Sequence, residues 1–196
     1  MRKIFRAFFA SLAIATSAQA ASEQAQPVDV AAARASLNGR WEGTLEYLDY
    51  SANTWFGIPV KTWIEDQGDK ATTIRRSDFD DGPTVGNVRI TSVELFDAAT
   101  GSVTTGSFRK GRAIDVHTYA VRIEGKAQNA MHWIMVEEVL ATDNNRPALL
   151  RYTTSRNGDN FETLKQVNFQ DDEVSEWMTR NRTRMTQVEA SPSDIK

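Results

Sequence analysis

The side chains with the clearest capacity for metal chemistry are the two histidines, His117 and His132, because the chain contains no cysteine. A neutral imidazole on the inner face of a strand can ligate haem iron or another metal. Neither histidine has a second ligand two residues further along its strand, and the His-Glu-x-x-His pattern of zinc enzymes is absent from the sequence. The sequence therefore predicts no metal site and no cofactor.

Acidic residues form two further patterns, and neither has the spacing that metal binding or catalysis needs. Asp78, Asp80 and Asp81 lie in a turn, but the glycine that follows, Gly82, comes too early for a calcium-binding loop. Glu137 and Glu138 are adjacent, so on a strand they point to opposite faces and cannot act together as an acid–base pair. The sequence also lacks a Gly-x-Ser-x-Gly motif and a cysteine nucleophile. No catalytic residue is predicted.

Aromatic and basic side chains recur along the chain in a pattern that suits a binding pocket. Five tryptophans are present, and rings around a cavity with a few polar groups would accommodate an amphipathic ligand with an anionic head. The candidate ligand-binding residues are Trp55, Trp63, Arg75, His117, Tyr119, His132, Trp133, Arg151 and Tyr152. The alternative interpretation is that these rings simply fill the core.

Ten short segments rich in β-branched and aromatic residues must position these side chains. Each segment is bounded by Gly, Asn, Asp or Pro, which are typical of turns. We predict strands over residues 40–50, 55–65, 71–77, 87–96, 102–108, 113–123, 131–141, 149–155, 161–169 and 177–185. Asn157-Gly158 predicts a hairpin with a type I′ turn. Helices between the strands are mostly missing, and parallel crossovers need them, so we expect an antiparallel sandwich or closed barrel.

The first predicted strand opens with a short motif, Gly39-Arg40-Trp41-Glu42-Gly43. This motif resembles the Gly-x-Trp signature that begins the first strand of lipocalins and their calycin relatives. The resemblance implies that Trp41 packs across the bottom of a barrel and is covered by an arginine of the last strand, for which Arg180 and Arg182 are the candidates. The motif is also similar to the opening of nitrobindin-like haem barrels, but Leu45 and Tyr47 stand where those proteins continue with glycines, which disfavours haem.

The predicted fold class is therefore all-β, an antiparallel, lipocalin-like up-and-down barrel of about eight to ten strands. We expect one barrel domain over residues 37–190, preceded by a flexible arm or short helix at 21–36 and followed by a tail at 191–196. The predicted structural residues of the barrel are Gly39, Trp41, Gly43, Arg180 and Arg182.

The first 20 residues have the three parts of a secretory signal peptide. Positive charges at positions 2, 3 and 6 precede a short apolar run that ends at Ala18-Gln19-Ala20. Cleavage after Ala20 predicts a periplasmic or secreted protein. It removes three of the 23 Lys and Arg residues, which leaves 20 against 26 Asp and Glu, a net charge of −6. This charge disfavours nucleic acid as a partner, and no later segment is apolar enough to predict a transmembrane anchor.

Three hypotheses for function follow, while the oligomeric state stays open. The first is an exported soluble barrel that binds a small hydrophobic or amphipathic ligand. The second is a solidly packed barrel that acts as a structural or protein-interaction module of the cell envelope. The third, a haem-binding or enzymatic barrel, has the least support because catalytic motifs are missing. The presence of a ligand-sized cavity separates the first from the second, and paired carboxylates with perturbed pKa values would favour an enzyme.

Overall fold

The computed structural model describes residues 28–174 and 176–189, which form a closed barrel with two short helices. The elements are α1 (Val30–Ala35), β1 (Gly39–Asp49), β2 (Thr54–Asp66), β3 (Thr72–Asp80), α2 (Gly82–Val85), β4 (Asn87–Asp97), β5 (Ser102–Arg109), β6 (Asp115–Ile123), β7 (His132–Asp143), β8 (Arg146–Asn157), β9 (Asn160–Phe169) and β10 (Met178–Val188). Each strand pairs antiparallel with its neighbours in the chain, and β10 returns to β1. The predicted all-β, antiparallel up-and-down barrel is confirmed.

The barrel closes along a seam in which residues 40–47 of β1 pair with β10. Gly43 lies in this seam opposite Met185. A β-carbon at position 43 would lie 1.8 Å from the backbone carbonyl oxygen of Arg184. The two backbones can therefore approach to pairing distance only because residue 43 has no side chain.

Two tight turns join β7 to β8 and β8 to β9. Asn144-Asn145 connects β7 to β8, and both residues have positive φ, 52° and 61°, as a type I′ turn requires. The predicted hairpin between β8 and β9 is present, but its loop is Gly158-Asp159, because Asn157 already pairs with Asn160. Only Gly158, with φ 62°, has positive φ in this loop. That pattern is typical of a type II′ turn rather than the predicted type I′.

Helix α1 closes one end of the barrel. Asp29 caps the helix by accepting a 2.8 Å hydrogen bond from the backbone N–H of Ala32. Ala33 and Leu37 are buried in the main apolar cluster with Trp41 and Trp133. This cluster contains residues of α1 and inward-facing residues of the strands, so it fills one end of the barrel. We call this cluster the floor of the barrel.

Trp41 is the centre of this floor and is fully buried. Its indole Nε1 donates a 2.8 Å hydrogen bond to the carbonyl of Leu37, directly after the helix. Its ring system and that of Phe161 pack edge to face, with centroids 4.7 Å apart. The guanidinium of Arg156, from β8, lies 5.3 Å from the indole centroid and also donates to the carbonyl of Ser36.

The arginines expected to cover Trp41 lie elsewhere. Trp41 pairs with Gln187, near the end of β10, whereas Arg180 and Arg182 lie near the beginning of that strand. Arg182 instead stacks on Trp55 at 4.0 Å, and Arg180 binds a carboxylate toward the other end of the barrel. The prediction for these two arginines is therefore corrected, since a long strand separates them from the floor and Arg156 takes that position.

Parts of the predicted domain organisation lie outside the described residues. These are the signal peptide at 1–20, the first part of the arm at 21–27 and the tail at 191–196. Between residues 28 and 189, with position 175 excepted, no helix has the length and apolar character needed to cross a bilayer.

Candidate functional site

A cavity of about 260 Å³ lies inside the barrel, above the floor. Its lining comes from α1, the residues after it and eight strands, β2 to β9: Arg34, Leu37, Ile64, Thr73, Arg75, Glu94, Thr105, Tyr119, Met135, Glu137, Tyr152, Thr154 and Thr163. Side chains from so many strands can meet only in the lumen of the barrel. Leu37, Ile64 and Met135 form the apolar part of this lining, and all the other lining residues are charged or carry a hydroxyl group.

Glu94 anchors the charged part of the cavity. Its Oε2 accepts a 2.8 Å hydrogen bond from Nη2 of Arg34, and its Oε1 accepts one of 3.1 Å from Nε of Arg75. Burial alone would raise the pKa of Glu94, but Arg75 and Arg34 together hold that pKa below its ordinary value. Glu94 is therefore ionised, and each of its oxygens is already paired.

Glu137 faces the same cavity in a different electrostatic setting. Its nearest cationic partner is Nη1 of Arg34, 3.7 Å from Oε1, and no described donor makes a hydrogen bond to its carboxyl group. Burial raises the pKa of Glu137, the negative charge of Glu94 raises it further, and Arg34 and Arg75 oppose the rise only in part. The two carboxyl groups of the cavity are therefore shifted in opposite directions.

Two tyrosines stand opposite these charges. The rings of Tyr119 and Tyr152 meet edge to face with centroids 5.8 Å apart. Burial, together with negative charges that include Glu137, raises the pKa of Tyr152 to about 12 and raises the pKa of Tyr119 as well. Both phenols are therefore neutral hydrogen-bond donors, and neither hydroxyl bonds to any residue that the structure describes.

Arg75 adds donors that are also unused. Only its Nε is engaged, by Glu94, and a guanidinium carries four further N–H bonds on its two Nη atoms. No acceptor in the described part of the chain pairs with them, and the side chain is 30% exposed. The Nη atoms of Arg75, the hydroxyls of Tyr119 and Tyr152 and the carboxyl group of Glu137 thus line one cavity without a hydrogen bond to any described residue. All four side chains are half-buried, so water or a ligand can reach these atoms.

The wall of the barrel is least continuous beside this site. β6 and β7 pair only from Ala120 opposite Glu138 to Ile123 opposite Met135. No ladder pair joins residues 115–119 of β6 to the upper part of β7, although β7 continues to pair with β8. Tyr119 lies on this segment, which pairs with β5 but not with β7, and it lines the cavity.

Five of the nine predicted ligand-binding residues face the lumen. Those that line the cavity are Arg75, Tyr119 and Tyr152. Trp133 lies in the floor, where its indole Nε1 donates a 3.1 Å hydrogen bond to Oγ of Ser36. His117 lies further along β6, with its Nε2 3.0 Å from a carboxylate oxygen of Asp115.

The other four predicted residues lie outside the cavity, on the outer wall or at the edge of the floor: Trp55, Trp63, Arg151 and His132. Trp63 stacks under Arg76 at 4.2 Å, on the face opposite that of Arg75. Arg151 donates a 2.7 Å hydrogen bond to Glu138, on the face opposite that of Glu137. These pairs show that neighbouring residues of one strand separate into a lumen group and a surface group.

Sequence reasoning missed three charged residues of the cavity, Arg34, Glu94 and Glu137. Glu137 and Glu138 are adjacent on a strand, so one of them had to point into the barrel. This alternation could have identified the pair as a source of one cavity carboxyl group. Arg34 and Glu94 are 60 positions apart in the chain, and no local pattern connects them.

No protein-family model matches this chain, and no curated protein matches its sequence. The closed barrel is consistent with the fold that the lipocalin resemblance implied, while membership of the calycin superfamily stays a prediction. Among the described residues, no group of three or more His, Asp or Glu side chains is placed to hold a metal ion.

Proposed function

We propose that this protein binds a small amphipathic molecule in the lumen of its barrel. The observation that carries the proposal is a set of polar atoms that face one cavity and make no hydrogen bond to a described residue: the Nη atoms of Arg75, the hydroxyls of Tyr119 and Tyr152, and the carboxyl group of Glu137. These side chains are half-buried, so a molecule that enters the cavity can reach all of them. Convergent polar groups around an otherwise enclosed cavity are typical of a small-molecule site, whereas a packed core would place apolar groups at these positions.

The size and lining of the cavity narrow the ligand. A volume of about 260 Å³ lies just below the range of about 300–1,000 Å³ typical of sites that enclose drug-sized molecules. The enclosed part of the ligand is therefore small. The charged wall favours an amphipathic molecule over a wholly apolar one, because an apolar ligand would leave the arginine and both tyrosines unpaired.

The edge of β6 that does not pair with β7 supplies a route into the cavity. Tyr119 lies on this segment and in the cavity wall, so a small displacement between β6 and β7 would expose the site without breaking a ladder pair. The opposite end of the lumen is blocked by α1 and by Trp41.

The competing hypotheses receive less support. A solidly packed interaction module has no use for an open cavity lined with unpaired donors. An acid–base enzyme would need two carboxyl groups free to exchange protons. Glu94 and Glu137 have the opposed pKa shifts of such a pair, but both oxygens of Glu94 are held by arginines.

The leader-like pattern of residues 1–20 supports binding outside the cytosol. Amino-terminal sequencing of the protein purified from its native host tests this part of the proposal. We expect the mature chain to begin at Ala21. A chain that retains Met1 would contradict export by cleavage.

Native mass spectrometry of the purified protein tests ligand binding. We expect a retained small molecule, and we expect Arg75→Gln to lose most of it. Arg76→Gln is the matched control, because Arg76 has the same charge and the adjacent position but faces outward over Trp63. A wild-type protein without any bound molecule, or equal retention by the two variants, would contradict the proposed lumen site.

A further inference from the structure

We infer that the ligand is a small monoanion, a carboxylate in its simplest form, whose head group lies against the Nη atoms of Arg75 and the hydroxyls of Tyr119 and Tyr152. This inference rests on the proposed lumen site and adds the chemical class of the molecule that occupies it.

The charges around the cavity support a single negative charge. Arg34 and Arg75 contribute two positive charges, and Glu94, which is hydrogen-bonded to both, contributes one negative charge. Glu137 accepts no hydrogen bond from a described residue and lies 3.7 Å from Nη1 of Arg34. Burial and the ionised Glu94 raise the pKa of Glu137, so it takes up a proton more readily than an ordinary glutamate. With a proton on Glu137, the four charged residues of the cavity lining carry one net positive charge. One anionic ligand balances that charge, and its own negative charge further favours the proton on Glu137, whereas a dianion would reverse the charge.

The free groups also have the polarity that an anion needs. The Nη atoms of Arg75 and the two phenols are donors, and a protonated Glu137 adds another O–H donor. A carboxylate has two oxygens with about four acceptor sites, so it can satisfy several of these groups at once. Hydrogen bonds to an ionised acceptor are roughly twice as strong as neutral ones.

A cationic ligand is the direct rival, because an ionised Glu137 could accept an ammonium group. Such a ligand would lie beside two guanidiniums and would leave the donors of Arg75 unpaired. The charged and titratable groups that face Glu137 are Arg34 from α1, Arg75 from β3, Glu94 from β4, Tyr119 from β6 and Tyr152 from β8. Further along β6, Asp115 and His117 pair with each other.

Calorimetric titration with tail-matched probes separates these possibilities. The probes are hexanoate, hexan-1-ol and hexylamine, together with benzoate, benzyl alcohol and benzylamine. We expect at least one carboxylate to bind tenfold or more tightly than its alcohol, and the amines to bind most weakly. If an alcohol or amine binds as tightly as its carboxylate, the monoanion inference is wrong while the lumen site stands. If none of the six binds, the proposed function itself is contradicted.

Variants of adjacent residues locate the head group. Arg75→Gln should abolish the tenfold preference for carboxylate over alcohol, and Arg76→Gln should keep it. A structural defect would reduce the affinity for both probes, whereas loss of head-group recognition reduces it for the carboxylate alone. Equal preference in wild type and Arg75→Gln would overturn the assignment of the head group to Arg75.

The pH dependence of binding tests the role of Glu137. Carboxylate affinity should fall as pH rises, because ionised Glu137 repels the ligand. Glu137→Gln, which keeps the shape and stays neutral, should bind hexanoate or benzoate with little change in affinity between pH 6 and pH 9. Glu138→Gln is the outward-facing control and should retain the wild-type profile. A wild-type slope in Glu137→Gln would refute this role.

Discussion

Gly43→Ala tests whether the β1–β10 seam depends on a residue without a side chain. The new β-carbon would lie 1.8 Å from the carbonyl oxygen of Arg184 and 2.8 Å from its carbonyl carbon. Non-bonded heavy atoms are comfortable at about 3.5 Å. The two strands must therefore separate locally by roughly 1.5 Å, well beyond the tolerance of a backbone hydrogen bond of about 2.7–3.2 Å.

The cost follows from what this separation breaks. Losing about two ladder hydrogen bonds costs about 1 kcal/mol each, and residual overpacking of the strands adds about 1–3 kcal/mol. We expect Gly43→Ala to lower the free energy of unfolding by about 3–5 kcal/mol. The lumen would open at the same seam, so binding of the carboxylate probe should weaken in parallel.

Gly106→Ala is the matched control, because Gly106 also lies within a strand and not in a turn. A β-carbon there would meet only the ring of Phe108, at 3.8 Å, which is an ordinary contact. Alanine in a strand avoids the entropy that glycine loses on folding, about 0.5–1 kcal/mol, so this variant should be neutral or slightly stabilised. Urea unfolding followed by far-UV circular dichroism gives both values. A loss below about 1 kcal/mol for Gly43→Ala, or equal losses for the two variants, would refute the steric argument.

Three further predictions concern the floor, one turn and the buried carboxyl groups. Trp41→Ala should cost about 3–5 kcal/mol in urea unfolding, since it removes a fully buried ring; a loss under about 1 kcal/mol would show that the ring is not the barrel plug. Gly158→Ala should cost about 1–2 kcal/mol because φ is 62°, and thermal unfolding will show no change if the turn can rearrange. The raised pKa of Glu137 means that its stabilising contribution is present at low pH and is lost as pH rises through the folded-state value. The lowered pKa of Glu94 gives a contribution that is present above its unfolded-state value and is lost on acidification. Urea midpoints measured from pH 3 to pH 9 should therefore show Glu137→Gln flattening the loss of stability above the ordinary glutamate pKa and Glu94→Gln flattening the loss below it, and unchanged slopes would contradict both assignments.

The positions of the strands and most of the turns could be predicted from the sequence. The two-residue alternation of side chains and the turn residues between segments placed strands at every position where the barrel has one. The hairpin at Asn157-Gly158 was also predicted, although the loop is shifted by one residue because Asn157 itself pairs across the ladder. Of the candidate pocket, Arg75, Tyr119 and Tyr152 could be nominated by residue type, since local chemistry identifies a donor before its position is known.

Alternation along a strand states that two adjacent residues face opposite sides, but not which of them faces inward. By itself, the sequence determined that Arg75 and Arg76, or Glu137 and Glu138, must separate. Only the tertiary structure decided that the first of each pair enters the lumen, because barrel closure through β1 and β10 and the burial of Trp41 set the orientation of all ten strands together. The ion pair of Arg34 with Glu94 was also decided by the tertiary structure. The two residues are 60 positions apart in the chain, and only the packing of α1 against one end of the barrel brings Arg34 to Glu94.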